Sequence, residues 1–180
     1  MFERKGFHAT SLEDIAAVVN VSPRTLPRYF GSKEGVILGY EDDNNAALLR
    51  ELVARPDMES PLEALRAATL AVIDGGSGED GERYLRVQRL IMANPPLLAK
   101  SLERTTEHGH VLAGVLAVRM GVDPDADMYP RLAVGVVGAA VQTAKERWLR
   151  AQDEPAERLM ELIQEALDLL KSWPAPPATR

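Results

Sequence analysis

The chain has 180 residues, a formal net charge of −6, 46% hydrophobic and 27% charged residues, and no cysteine. This composition suits a globular chain with room for one sizeable core, and it excludes a disulfide scaffold or a cysteine-built zinc site. The longest apolar run, Leu132 to Val141, is short of the roughly 18 residues that a membrane span needs, and no signal pattern opens the sequence, so a cytoplasmic location away from membranes is expected.

Helical periodicity starts early. Leu12, Ile15, Ala16 and Val19 recur at i, i+3, i+4 and i+7, one face of a helix. Thr10-Ser-Leu-Glu13 reads as a capping box, with Asp14 also in the acid-favouring first turn. Asn20 stands where the chain must turn and tolerates left-handed backbone. Ser22-Pro23 restarts a helix, serine as N-cap and proline at the first helical position, and Gly31-Ser32 ends that helix and caps the next. A long helix is predicted over 33–53, stopped by Arg55-Pro56-Asp57, and another over 61–73. The glycine-rich stretch from Asp74 to Gly81 reads as a flexible loop. A helix over 82–92 precedes the break Asn94-Pro95-Pro96, and a long helix follows to Met120. After a turn over 121–127 come two more helices, 128–151 and 155–172, and a Pro/Ala-rich tail over 174–180 that reads as disordered. Alternating strand patterns are absent, so the fold class is all-α.

Two short helices joined by a tight turn form a helix-turn-helix pattern, whose second helix enters the major groove. Leu26 and Phe30, four apart, are expected to face the core, leaving Arg24, Pro27 and Arg28 outside with Thr25 at the edge. Arginine reads guanine or holds phosphate, and threonine touches a thymine methyl or a phosphate. Lys33 opens the next helix, where its charge and the free amides suit a phosphate. The acidic total argues against indiscriminate nucleic-acid binding, but residues 1–40 hold five basic and four acidic residues, +1, and the remainder −7.

These residues resemble a known family. Gly6-Phe7-His8-Ala9-Thr10-Ser11-Leu12-Glu13-Asp14-Ile15-Ala16, then Val21-Ser22-Pro23-Arg24-Thr25-Leu26, then Arg28-Tyr29-Phe30-Gly31-Ser32-Lys33-Glu34 are similar to the DNA-binding signature of TetR-family transcriptional regulators. The resemblance implies that Thr25, Tyr29 and Lys33 contact phosphates while Arg24 and Arg28 read sequence. Two departures stand out. Pro27 sits inside the recognition helix without the N–H that would bond the Pro23 carbonyl, which bears on how Arg28 is aimed. The family also places a full helix before Gly6, where five residues stand here, so either the sequence begins late or the head is weakened.

The remaining residues offer no catalytic set. His108 and His110, two apart on a helix, point away from each other and cannot share a metal. Ser11, Ser22 and Ser32 read as caps, and Gly75-Gly76-Ser77-Gly78 lacks the preceding strand and the lysine of a phosphate loop. No enzyme activity, metal or cofactor is expected. The last two helices carry broad apolar faces with a small-residue side. They read as core or as a two-fold four-helix interface, for which the resemblance favours the interface: Gly135, Gly138, Val141, Trp148, Leu159, Ile163, Ala166 and Leu170. Over 86–149, short strings such as Arg86-Val-Gln-Arg89 and Lys145-Glu-Arg-Trp148 resemble the C-terminal domain of acyl-CoA-responsive, mycofactocin-type TetR regulators. Met92, Leu102 and Leu112 read first as core and second as the lining of a ligand space between the helices over 61–73, 82–92 and 97–120. Arg86 and Arg89, three apart on one helix face, read either as a solvated face pairing with Glu82 or as the holders of an anionic end.

The expected organisation is a DNA-binding head over 1–40, with its first helix cut short, and a regulatory and dimerisation body over 41–173. The expected partners are an operator palindrome in double-stranded DNA, a second copy of the chain, and a small effector, acyl-CoA or another amphipathic anion. The competing expectation is an all-helical interaction protein whose shortened head no longer binds DNA.

Overall fold

The computed structural model describes residues 5–75, 79–151 and 155–172. Among them every regular element is a helix: α1 Leu12–Val18, α2 Thr25–Phe30, α3 Lys33–Ala54, α4 Pro61–Gly75, α5 Glu79–Met92, α6 Pro95–Met120, α7 Tyr129–Arg150 and α8 Ala156–Ser172. The helices flanking the glycine-rich stretch take in Asp74, Gly75 and 79–81, so the expected loop there shortens. Its remainder, 76–78, lies outside the described residues, as do 1–4 and the tail 174–180.

Capping chemistry explains where the head helices begin and end. The box at α1 is Ser11 with Asp14, one residue later than expected: Ser11 Oγ accepts from Asp14 N and Asp14 Oδ2 accepts from Ser11 N, both at 3.1 Å. Thr10 is not available for it, because its buried hydroxyl donates to the Gly6 carbonyl at 2.8 Å. Asn20 is left-handed, φ 55. Val21 N then donates to the Ala16 carbonyl at 3.0 Å, closing the helix end in a Schellman motif. Val19, read on one helical face with Leu12, Ile15 and Ala16, becomes the exposed C-cap.

Helix α2 starts at Thr25, later than the Ser22-Pro23 signal implies. Pro27 has no N–H for the Pro23 carbonyl, so regular helix bonding cannot begin there. Thr25 N instead closes a tighter turn onto the Ser22 carbonyl at 2.8 Å. Gly31, φ 70, ends α2, and Ser32 Oγ caps α3 by accepting from Gly35 N at 3.2 Å. Gly35 permits this tight corner, since a Cβ there would collide with the Phe30 carbonyl oxygen.

Two apolar clusters hold the helices. The larger gathers Leu52 of α3, Leu65 of α4, Leu116 of α6, Trp148 of α7, and Leu159 and Ile163 of α8. Each such fully buried side chain is worth roughly 1.5–3 kcal/mol of transfer free energy. The smaller joins Phe7 of the head, Ile37 and Leu38 of α3, Ile91 of α5 and Leu97 of α6. Helix α3 therefore contributes to both clusters, and the expected boundary at residue 40 falls inside it. No helix among the described residues is long and apolar enough to cross a membrane.

Candidate nucleic-acid interface and regulatory body

In the head, Ala16 and Leu26 are buried where α1 crosses α2. Phe30, expected in the core, is 43% exposed. It closes instead over α3, where a Cβ on Gly39 would stand 3.4 Å from its ring. Burying Leu26 turns the opposite side of α2 outward. Arg24, Pro27, Arg28 and Tyr29 are exposed there and Thr25 is half-buried. Arg28 and Tyr29 form a pair, with Nη2 donating to the phenol oxygen at 2.9 Å and the guanidinium 4.9 Å from the ring centroid. The pair holds a planar fork of donors at the surface, the geometry that suits a guanine edge or a phosphate.

Lys33 has a structural engagement that its sequence position does not reveal. Its ammonium donates to the carbonyls of Phe7 at 2.8 Å, His8 at 3.2 Å and Thr10 at 3.1 Å. It also stands 4.5 Å from the centroid of the Phe7 ring. The cation thereby ties the turn before α1 to the start of α3. Beside it, an open hollow of about 490 Å³ is lined by residues 8–13 and 31–33. The hollow lies between the starts of α1 and α3, whose caps Ser11 and Ser32 both line it.

The body separates the residues expected at the ligand space. Leu112 is buried in the main core, whereas Met92 is 37% and Leu102 52% exposed. Arg86 is exposed and pairs with Glu82 at 3.4 Å. Arg89 lies 4.6 Å over the Trp148 ring. The expected dimer residues divide too. Trp148, Leu159 and Ile163 are each 2% exposed within the single chain, and Trp148 Nε1 donates to the Pro155 carbonyl at 3.0 Å. Val141, Ala166 and Leu170 pack partly against the same core. Gly135 and Gly138 lie on the open side of α7, where a Cβ would meet nothing within 4 Å. Leu132 and Val136 are exposed on the same helix, and Leu169 on α8.

Polar groups converge between α3, α5, α6 and α7, and sequence reading singled out neither Glu41 nor its partners Gln88 and Ser101. Glu41 accepts from Gln88 Nε2 at 3.1 Å and from Ser101 Oγ at 2.7 Å, and both donor residues are buried. Next to it, Arg104 pairs with Asp42, and Asn45 Nδ2 lies 3.0 Å from His108 Nδ1. The Lys145 ammonium is 5.2 Å from the Tyr84 ring centroid. Burial opposes its charge, but Tyr84 and Glu41 outweigh that, and its pKa is raised. A signal existed: Gln88 lies between Leu85 and Ile91 at three-residue spacing, and Ser101 one turn after Leu97, polar residues on apolar stripes.

A helix-turn-helix head with outward arginines, joined by a shared helix to an all-helical body, defines a DNA-binding regulator by class. The comparisons with known proteins agree. Residues 1–39 match the family model described as bacterial regulatory proteins, tetR family, and residues 59–173 match the MftR C-terminal domain. The HTH-type transcriptional regulator TcmR of Streptomyces glaucescens is 38% identical over 176 residues, covering 95% of this chain and 78% of that protein. The putative mycofactocin biosynthesis transcriptional regulator MftR of Mycobacterium tuberculosis (strain ATCC 25618 / H37Rv) is 32% identical over 171 residues, covering 94% and 83%. The crystal structure of the TetR family transcriptional regulator PfmR from Thermus thermophilus shares the fold, with a TM-score of 0.51, 23% identity, and 97% and 94% of the two chains covered. The chain belongs to the TetR family of transcriptional regulators, with a C-terminal domain of the MftR type.

Proposed function

We propose that the chain is a cytoplasmic, homodimeric repressor that holds a palindromic operator and leaves it when a small, largely apolar effector binds the body. Its two heads would occupy successive major grooves, about 34–36 Å apart. Arg24 and Arg28 read bases, while Thr25, Tyr29 and Lys33 position the backbone; Lys33 does so by its charge, since its three N–H donors go to the Phe7, His8 and Thr10 carbonyls. The second copy docks on the open side of α7 around Gly135 and Gly138, with α8 beside it. The effector is an amphipathic anion, acyl-CoA being the first class to try. Its apolar part enters the interior that includes Leu112. Its charged end stays at the exposed face of α5 near Arg86 and Arg89, towards the open side chains of Met92 and Leu102.

The observation that carries the reading is the outward cationic face of α2, fixed from behind by buried Leu26. Selection of duplexes from a random pool tests it. An enriched palindrome whose affinity falls steeply with salt is expected. A pool with no enrichment over non-specific retention contradicts it.

A further inference from the structure

Along α3 a polar layer separates the two apolar clusters. Ile37 and Leu38 belong to the head-side cluster, and Leu52, with Leu48 and Leu49 packed against it, belongs to the body core. Between them Glu41, Asp42 and Asn45 reach Gln88 of α5 and Ser101, Arg104 and His108 of α6. Apolar contacts tolerate small slides of one helix along another. A carboxylate held by a directional donor from each of two helices does not, because a shift leaves a buried polar group unpaired.

We infer that Glu41 is a positioning residue, the centre of a polar clasp that fixes how α3 leaves the body and so sets the placement of the DNA-binding head. The inference rests on the regulator reading above and adds the group through which the body controls the head. Lys145 of α7 stands over the Tyr84 ring of α5, 5.2 Å from its centroid, and the Glu41 charge adds to what favours its protonated form. An effector that parts α5 from α6 would loosen the clasp from both sides, since Gln88 and Ser101 grip opposite oxygens.

The full chain allows a clean test, because it has no cysteine and a single Ala17→Cys on the exposed side of α1 carries one spin label per chain. Glu41→Ala, Glu41→Gln and Ser101→Ala are compared for head-to-head distance, affinity for a selected operator and affinity for a random duplex. The clasp predicts a shifted or broadened distance in Glu41→Ala and an operator affinity about ten-fold lower, with random-duplex affinity held within about two-fold. Ser101→Ala should lie between, and Glu41→Gln, which keeps an acceptor for one donor, should recover most of the loss. Equal losses on both duplexes, or a folded Glu41→Ala with wild-type distance and affinity, overturn the inference. If Glu41→Ala does not fold, an unchanged distance in Ser101→Ala overturns it alone. A wild type that is monomeric or retains no duplex overturns the regulator reading itself.

Discussion

Arg28 and Lys33 are both cations of the head, yet the fold uses them differently. Arg28 is exposed and rests on Tyr29. Arg28→Ala should therefore leave thermal stability nearly unchanged, cost about 1–3 kcal/mol of operator binding and relax preference at one base position. Equal binding of the two proteins across an operator library would contradict this. Lys33 satisfies three carbonyls. Lys33→Ala should lower the melting temperature, because those carbonyls lose a charged donor worth about 1.5–3 kcal/mol for one such bond, and should weaken every duplex alike. A melting temperature equal to wild type would show that the carbonyl contacts contribute nothing. The sequence placed both residues in the head but could distinguish them only by helix position. The carbonyls that hold Lys33 come from residues 7–10, more than twenty positions away, and no local pattern encodes that meeting.

The helices themselves were largely legible, because proline, glycine and serine punctuate them and apolar residues recur with their period. Shifts came where two caps compete or a bond is missing: Thr10 spends its hydroxyl on Gly6 and yields the box to Ser11, and Pro27 delays α2. Burial was harder to read. Trp148, Leu159 and Ile163 are apolar enough for an interface, but the protomer's own core claims them. Gly138 is the sharper probe of dimerisation. A side chain there meets nothing within the chain, and replacing a mid-helix glycine favours the helix by up to about 1 kcal/mol. Gly138→Glu should keep the protomer folded and split the dimer, as sedimentation at micromolar concentration would show; a variant that stays dimeric would move the interface elsewhere. Acid should loosen α1. The backbone amide of Ser11, then Lys5, holds the Asp14 carboxyl below its ordinary value. A depressed folded pKa stabilises the helix above the unfolded value of about 3.9, and that support is lost as pH falls through the lower folded value. Hydrogen exchange over 12–18 should rise there in wild type and be raised already near neutrality in Asp14→Asn; identical profiles would remove the capping box from the account.

The clustering of charge and packing gives the full chain a direction. An acidic body discourages DNA everywhere but at the near-neutral head, and α3 with the Phe7–Ile37–Leu97 cluster links head to body mechanically. An effector that favours the unbound state must stabilise the free protein and weaken operator affinity by linked amounts. Acyl-CoAs of graded chain length should raise the melting temperature and release the operator in the same order; if no chain length does either, the acyl class is wrong while the DNA-binding account stands. The most direct measurement of that account is sedimentation of the chain with a selected palindrome across a salt series. Two chains per duplex are predicted, with log affinity falling linearly against log salt at a slope set by several phosphate contacts. One chain per duplex, or retention no better than on random DNA at about 0.15 M salt, would contradict it.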